Sequence, residues 1–411
     1  MKKLTLLFIC LVAIIDVFSQ NIIYGKIIDS ETKQPIPSAS VYLNNTTFGM
    51  KTNDQGAFRL HNVNAYSELV VSAVGYEKII TKTTGGQSSY TILMKPKENI
   101  LEEVNVSTNS KAWEKWGGLF SKLVLGYGAG EHGYGIISNP KDVHFYYNDV
   151  EKTLEVSMNK PLIIDIKALG YVLNIDMDYF VYSFENEELK YSSTIQYKNS
   201  FDKSYVERIQ YLTDWIYYGS KMHFYRSLFL NQSKEEGFYI YQYHSVRNHE
   251  KERVMKTVRK WASEKINLNS SKEDLFKLSE NKDSSRYYKK VMMQKDVFTI
   301  DTIPVDIKNY VAYNSDSKKL NINFSDTLMV VYRRNRNTAT PNSNRFPHQR
   351  LKVNTLMFLT NKNGIDILED GRSTTNEFYM IGDMANRPLS KTLPFDYDPK
   401  AGRKLYDVVG F

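Results

Sequence analysis

Three residues of this chain have the types and the spacing that a catalytic zinc site would need. His249 and Glu252 form a His-x-x-Glu pair, and His348 follows far downstream. Two neutral imidazoles and one carboxylate make up the ligand set of an open catalytic zinc site. A zinc metallocarboxypeptidase-type hydrolase is therefore one hypothesis for the function.

The sequence around these residues favours another interpretation. His249 and Glu252 lie in the highly charged stretch 247–265, which is typical of a solvated helix, and His348 lies in a polar loop. The regular alternation of strands and helices that an α/β carboxypeptidase would show is missing. The chain also has no glycine-rich phosphate loop, nucleophile elbow or serine triad. We therefore expect no catalytic residue, no bound metal and no cofactor.

Two further groups of residues are candidates for binding. His223 lies one turn into a predicted helix near Arg226, where the pair could also simply tie the helix to a sheet. The second group flanks a loop rich in Asn, Thr and Pro, and consists of Arg333, Arg334, Arg336, Arg345 and Arg350. These arginines could meet an anionic surface such as a phosphate-bearing glycolipid, and a solvated hairpin loop is the alternative.

The first 19 residues have the pattern of a signal peptide. Lys2 and Lys3 precede an apolar run over 4–15 that is too short to cross a bilayer, and small or tolerated residues follow at 17–19. The single cysteine, Cys10, lies inside this leader, so the mature chain is expected to lack disulfides and thiolate metal sites. The leader predicts export to the periplasm or to the outer membrane, with a retained anchor as the alternative.

Composition narrows the classes of partner. The chain has 411 residues, with 54 basic and 46 acidic side chains and a net charge of +8. This excess is mild and no basic stripe concentrates it, so a nucleic-acid partner is not expected. The 30 tyrosines favour sheets, and the length suggests two or three domains.

Residues 20–98 predict a small β-sandwich. Short alternating apolar runs occur at 22–28, 39–43, 57–60, 69–73 and 90–95. Asp29-Ser30 opens a turn, Pro35 and Pro37 suit an edge, and Gly56 can take the positive φ that closes a hairpin. Strands at this regular spacing indicate a Greek-key sandwich.

This segment resembles the carboxypeptidase-regulatory-like domain, a transthyretin-like sandwich of seven strands found in exported Bacteroidetes proteins. The matching residues are Gly25, Ile27, Asp29, Thr32, Pro35, Ile36, Ala39, Val41, Thr52, Asn53, Gly56, Phe58, Leu60, Leu69, Ser72, Gly75 and Tyr76. The resemblance implies an accessory domain and no peptidase activity. Residues 100–107 look like the strand that follows this domain in outer-membrane receptors. That strand could pair with a partner's sheet edge or with the protein's own sheet.

After a linker at 99–111, residues 112–411 predict a larger α+β domain. A helix is expected to end near Gly126, and antiparallel strands are expected at 143–147, 154–158, 162–166, 171–177, 179–184 and 194–198. A helical pair follows, with 204–218 ended by Gly219 and Ser220 capping the second helix. Further strands are predicted at 238–243, 328–332, 351–359 and 365–368, the last two joined by a hairpin turn at Asn363-Gly364.

This half is similar to the uncharacterised segment of the Bacteroidetes carboxypeptidase-like regulatory domain-containing proteins. The residues that carry the similarity lie at 139–140, 161–162, 168–171, 219–220, 223–224, 226–228, 236–238, 393–394, 396–397 and 399. The similarity implies no activity.

The sequence as a whole predicts a mostly β, α+β protein that serves as a non-enzymatic binding or scaffold module in the cell envelope. An envelope protein or a glycan is the expected partner, with peripheral association with the outer membrane. An accessory role in an outer-membrane receptor or transport system is a further alternative. Because so small a sandwich has a thin core, we also expect the second domain to cover one of its faces.

Overall fold

In the computed structural model, two compact units are formed by Met1–Met222 with Arg387–Phe411 and by His223–Asn386. The predicted leader, the strand at 100–107, His348 and every arginine of the loop group except Arg333 lie outside the residues that can be described. The structure describes 22–61, 63, 66–84, 87–97, 109–126, 134–185, 187–200, 206–246, 248–265, 282–294, 297–333, 352–360, 362–374, 378–385 and 387–399.

The first seven strands form the predicted sandwich. They are β1 (Ile23–Asp29), β2 (Ser40–Leu43), β3 (Gly49–Lys51), β4 (Ala57–Leu60), β5 (Glu68–Ser72), β6 (Ile79–Lys82) and β7 (Ser89–Met94). One sheet has the order β4-β1-β7 and the other β3-β2-β5-β6, and only the β1-β7 pair is parallel among these described strands. Alternate residues such as Ile27, Val41, Phe58 and Leu69 fill the space between the sheets.

Polar residues of the family pattern hold the turns of the sandwich. The Asp29 carboxylate accepts hydrogen bonds from the backbone N–H groups of Glu31 and Thr32, at 2.7 and 2.9 Å, and from the Tyr76 hydroxyl at 2.7 Å. These donors lower the pKa of Asp29, the Thr32 N–H contributing most. Gly56 closes the β3-β4 connection with φ +67°. Asp29, Gly56 and Tyr76 of the matching pattern are therefore explained by the turns that they hold.

A six-stranded antiparallel sheet follows in the same unit. The strands of this sheet are β8 (Tyr134–Ile136), β9 (Val143–Asn148), β10 (Thr153–Met158), β11 (Leu162–Ile166), β12 (Tyr171–Ser183) and β13 (Glu188–Asn199). The helix α1 (Asn109–Leu125) precedes them in the chain, and the helix α2 (Val206–Tyr217) follows them. The long strand β12 pairs with β11 and β10 on one side and with β13 on the other. Phe120 of α1 packs against Phe145 and Phe180 of the sheet. The chain returns at 389–397 to complete this core.

The sandwich docks on β12 and β13 within this unit, as expected. Its loop forms a parallel bridge between Thr46 and Gln196, in which the Asn45 N–H donates to the Ile195 carbonyl and the Tyr197 N–H donates to the Thr46 carbonyl. Val70 faces away from the core of the sandwich and is nevertheless fully buried. The docking therefore covers the outer side of the β3-β2-β5-β6 sheet at Val70, whereas Ile80 of the neighbouring strand β6 stays 46% exposed on the same side.

Among its described residues, the second unit contains two sheets and three α-helices. The elements are α3 (Lys221–Phe229), whose first two residues belong to the first unit, β14 (Phe238–Val246), α4 (His249–Lys265), α5 (Lys282–Met292), β15 (Val297–Ile300), β16 (Val311–Asn314), β17 (Lys319–Ile322), β18 (Thr327–Arg333), β19 (Lys352–Leu359), β20 (Ile365–Ile367) and β21 (Phe378–Gly382). The five-stranded sheet has the order β15-β14-β18-β19-β21 and the three-stranded sheet has the order β16-β17-β20. Across the described ranges, no helix combines the length and apolarity that a membrane span needs.

The predicted hairpin at Asn363-Gly364 is wrong. Strand β19 pairs with β18 and β21, whereas β20 joins β17 in the other sheet. Gly364 does take a positive φ of +74°, and a Cβ at this position would lie 2.3 Å from the Ile322 carbonyl oxygen. The glycine is needed where the chain passes close to β17, so the turn carries the chain from one sheet to another.

Candidate functional site

The predicted zinc ligands that can be described lie on the surface. His249 Nδ1 is 3.9 Å from Glu252 Oε2 at the start of α4, and their side chains are 84% and 52% exposed. This is an i,i+3 pair on a solvated helix. The described ranges hold no group of three His, Cys, Asp or Glu side chains that could bind a metal ion. His348 lies outside these ranges, so the structure describes only His249 and Glu252 of the three.

His223 is buried, and its Nε2 lies 3.2 Å from Glu236 Oε2. Its ring packs against Phe238 and Tyr332, with centroid distances of 4.9 and 5.6 Å. Burial lowers the pKa of His223, and Glu236 opposes this effect only in part. His223 therefore ties α3 to the inner side of the five-stranded sheet.

Arg226 lies near His223, where its charge lowers the pKa of the imidazole further, and it bonds to a different part of the fold. Its Nε donates a hydrogen bond to the Asp370 carbonyl at 3.1 Å, in the turn that follows β20. The Asp370 carboxylate forms a half-buried ion pair with Arg372 at 2.7 Å. These contacts connect α3 to that turn, and they account for Arg226 as a structural residue.

The other side of the five-stranded sheet forms an unusual surface. Phe238 and Ile240 of β14 are buried, and Phe238 packs against Phe224 of α3, so the intervening residues point to the opposite side. We call this opposite side the open face. Its exposed and half-exposed side chains include Tyr239, Tyr241, Tyr243, Phe298, Ile300, Thr327, Met329, Arg333, Asn354, Leu356, Phe358, Tyr379 and Ile381.

Aromatic pairs stand at both edges of the open face. Phe298 of the edge strand β15 stacks on Tyr243 with a centroid distance of 5.0 Å, and Tyr379 of the edge strand β21 stacks on Phe358 at 5.6 Å. The outer ring of each pair is the more exposed one, with 51% for Phe298 and 60% for Tyr379. The rings form a layer on this side of the sheet, and the layer is exposed to solvent.

Aliphatic side chains link the two edges. The register places Tyr241, Met329, Leu356 and Ile381 in one row across four strands. Ile381 is 57% exposed at the end of this row. The open face is therefore apolar across its width rather than only at isolated positions.

Arg333 gives the open face a cation at one corner. Its guanidinium lies 5.1 Å from the centre of the Tyr239 ring, and its Nη2 donates to the Tyr241 hydroxyl at 3.4 Å. Both contacts hold an exposed guanidinium over the aromatic layer. Of the arginines in the loop group, this is the one that the structure describes.

The tyrosines of β14 are a sequence signal for the open face. In 238–243 the apolar Phe238 and Ile240 alternate with three tyrosines, so both sides of the strand have large apolar side chains. A strand with only one covered side alternates apolar and polar residues instead. Tyrosine at every second position indicates a second side that is covered or that binds a partner.

The chemistry of the open face suits recognition better than catalysis. It combines Tyr, Phe, Met and aliphatic side chains with Arg333, Thr327 and Asn354, and Lys352 pairs with Arg333 in the strand register. This composition is typical of the buried centre of a protein–protein interface.

No curated protein matches the chain. One solved structure with similarity is a type II cohesin–X-dockerin complex from Acetivibrio cellulolyticus, with 19% identity and a TM-score of 0.16. The alignment covers 18% of this chain and 56% of that chain.

Another solved structure with similarity is a protein of unknown function from Bacteroides fragilis. Its identity is 13% and its TM-score is 0.16, with coverage of 88% of this chain and 97% of that chain. At these TM-scores, neither likeness carries an argument about fold or function.

One family model matches the chain, the CarboxypepD_reg-like domain, over residues 23–106. The match spans the seven strands of the sandwich. It favours a non-catalytic regulatory or binding module. The resemblance predicted from Gly25, Asp29, Gly56, Tyr76 and the other residues of the pattern is thereby confirmed: residues 23–106 match the CarboxypepD_reg-like domain.

Proposed function

We propose that this protein is a non-catalytic, protein-binding module of the cell envelope and that the open face is its binding surface. The observation that carries the proposal is the continuous apolar layer from Phe298 to Ile381, three of whose side chains are more than half exposed. Exposed apolar surfaces of this kind mark sites of protein interaction. The leader at 1–19 supports the envelope location.

The expected partner is a protein with an apolar surface and a carboxylate that meets Arg333. Tyrosine, phenylalanine and methionine bury large areas with few rotatable bonds, and they supply the energetic centre of many interfaces. Arg333 is held in place by Tyr239 and Tyr241, so it can offer a preorganised fork to one carboxylate. A stable complex would bury about 800 Å² on each partner.

The sandwich supports this role by its rigid attachment. The Asn45 N–H of the sandwich loop donates to the Ile195 carbonyl of β13, and the Tyr197 N–H of β13 donates to the Thr46 carbonyl of the loop. The match of residues 23–106 to a regulatory-like domain supports a function in binding. We propose that this domain is a fixed accessory part of the first unit.

Site-specific photo-crosslinking in native envelopes tests the proposal. A benzophenone amino acid replaces Tyr379 on the open face or, as the matched control, Tyr146, which is 63% exposed on β9 of the first unit. We expect one protein adduct of defined mass at position 379 and none at 146, and we expect Ile381→Asp to abolish it. An adduct of equal yield at both positions, an adduct of two copies of this chain, or no adduct would contradict the proposal.

A further inference from the structure

The sandwich has a second surface with a different chemistry, on the outer side of the β4-β1-β7 sheet. Two rows of side chains cross the three strands there, with Arg59, Tyr24 and Ser89 in one row and Lys26 and Thr91 in the next. They line an open groove of about 790 Å³. We call it the sandwich groove.

The sandwich groove is cationic and rich in hydroxyl groups. Lys26 and Arg59 contribute two positive charges, and its lining residues include no Asp or Glu. Among the residues that the structure describes, neither of these two side chains forms an ion pair. An anion that entered the groove would therefore meet no like charge from its walls and would not have to displace a carboxylate.

The Tyr24 ring lies beside both cations, opposite Arg59 in the register and two residues from Lys26 on the same side of β1. Tyr24 is 50% exposed at the centre of the groove, and its neighbours Ser89 and Thr91 bring hydroxyl groups to the same side of the sheet. Neighbouring strands are about 4.8 Å apart, so Arg59 and Ser89 stand about 10 Å from each other with the ring between them. The groove thus offers a flat apolar surface with hydrogen-bonding groups and cations at its margins.

We propose that the sandwich groove binds an acidic polysaccharide, with a uronic acid residue as the unit recognised. The C–H face of a sugar ring fits the Tyr24 ring, and sugar hydroxyls fit Ser89 and Thr91. The planar guanidinium of Arg59 accepts a carboxylate in a bidentate manner, and Lys26 adds a point charge beside it. This site is independent of the open face, which is apolar and belongs to the second unit.

An acidic peptide would use the two cations without needing the ring. A neutral sugar would use the ring and the hydroxyls without needing the cations. The uronic acid chain is the ligand that uses all of the groups found here. Arg59, Lys26 and Tyr24 are therefore expected to contribute together, and the test separates their contributions.

Calorimetric titration of the full-length protein tests the assignment. The probes are oligogalacturonate, its methyl-esterified neutral form and a polyglutamate of equal charge. The groove variants are Lys26→Gln with Arg59→Gln, and Tyr24→Ala. The control for charge is Lys51→Gln with Lys82→Gln, which removes two exposed lysines from the other sheet of the sandwich.

We expect binding of oligogalacturonate that weakens at least tenfold in each groove variant and stays within twofold in the control. The neutral form and polyglutamate should each bind at least tenfold more weakly than oligogalacturonate. Absence of oligogalacturonate binding would overturn the proposal. So would equal binding of polyglutamate, or an equal loss in the control variant, because each indicates attraction by net charge alone.

Discussion

The Lys78 ammonium lies 2.6 Å from a carboxylate oxygen of Asp178, the extra residue of a β-bulge in β12. Met177 and Tyr179 pair with consecutive residues of β13, so no residue of β13 stands opposite Asp178 in the register. A bulge changes the direction of a side chain, and here the changed direction brings the carboxylate to the sandwich. Asp176 adds a second carboxylate at 3.4 Å from the same ammonium. The two parts of the first unit therefore share an electrostatic contact as well as backbone hydrogen bonds.

A double-mutant cycle should detect this contact. Lys78→Met and Asp178→Asn are each expected to destabilise the first unit, with a coupling energy of about 1 kcal/mol because the Lys78 side chain is only 15% exposed. The matched control is the pair Lys152 and Asp149, which is 3.1 Å apart and largely exposed. Its coupling in urea unfolding should be near zero. Equal coupling energies in the two cycles would contradict the account of the docking.

Val70 should behave as a core residue although it points away from the core of the sandwich. Val70→Ala is expected to cost about 1–3 kcal/mol, because the side chain is fully buried at the docking surface. Ile80 is opposite Val70 in the strand register and is 46% exposed, so Ile80→Ala should cost under about 0.5 kcal/mol. Denaturant unfolding gives both values. If Val70→Ala is as mild as Ile80→Ala, the outer side of this sheet is uncovered in solution.

Tyr42 should make the protein sensitive to high pH. Its hydroxyl is 2.9 Å from that of Thr194, and burial, with help from Asp176 and Asp178, raises the pKa of Tyr42 to about 12. The unfolded chain loses this proton near its ordinary pKa of 10, so the stabilisation is fully present below pH 10 and is lost as the pH rises towards 12. By about pH 11 this loss amounts to about 1 kcal/mol.

Unfolding measured at about pH 9 and about pH 11 checks this effect. Tyr42→Phe should reduce the alkaline loss of stability by the stated amount, whereas Tyr146→Phe, on the surface of β9, should leave it unchanged. The same alkaline loss in all three proteins would show that Tyr42 ionises normally in the folded state.

His223 should make the second unit sensitive to acid. Burial lowers the pKa of His223, so the folded protein keeps the imidazole neutral where the unfolded chain takes up a proton near the ordinary value of 6.5. The stabilisation is therefore complete above pH 6.5 and is lost as the pH falls towards the lowered pKa of the folded state. His223→Gln should flatten the dependence of the unfolding midpoint on pH below this value. His244→Gln, at a half-exposed position beside Asp301, is the control and should not flatten it.

The sequence predicted the elements well where local patterns are sufficient. The sandwich turns at Asp29 and Gly56 rest on bonds within a few residues, and α1 ends where Gly126 takes a positive φ of +85°. The hairpin at Asn363-Gly364 failed because a turn residue specifies local backbone geometry and leaves the pairing of its strands to distant contacts. Strand β20 finds its partner in β17, far back in the sequence.

Of the residues that form the candidate site, only Arg333 was predicted from the sequence. Arg333 was selected as part of an arginine-rich loop, and its contacts with Tyr239 and Tyr241 depend on the pairing of β14 with β18. The zinc hypothesis joined His249, Glu252 and His348 by spacing alone, and spacing does not show that His249 and Glu252 face solvent. The tyrosines of β14 indicate that both sides of the strand are apolar, and the packing of α3 against one side decides which of the two remains open.

The dependence of the Tyr379 crosslink on Arg333 tests the central claim most directly. Arg333→Glu reverses the charge at the corner of the open face while leaving the apolar layer in place, and Arg333→Lys keeps the charge without the planar fork. If a partner carboxylate meets Arg333, the yield of the adduct at position 379 should fall at least tenfold with Arg333→Glu and severalfold with Arg333→Lys. An adduct whose yield is the same in both variants and in the unmodified chain would contradict the account.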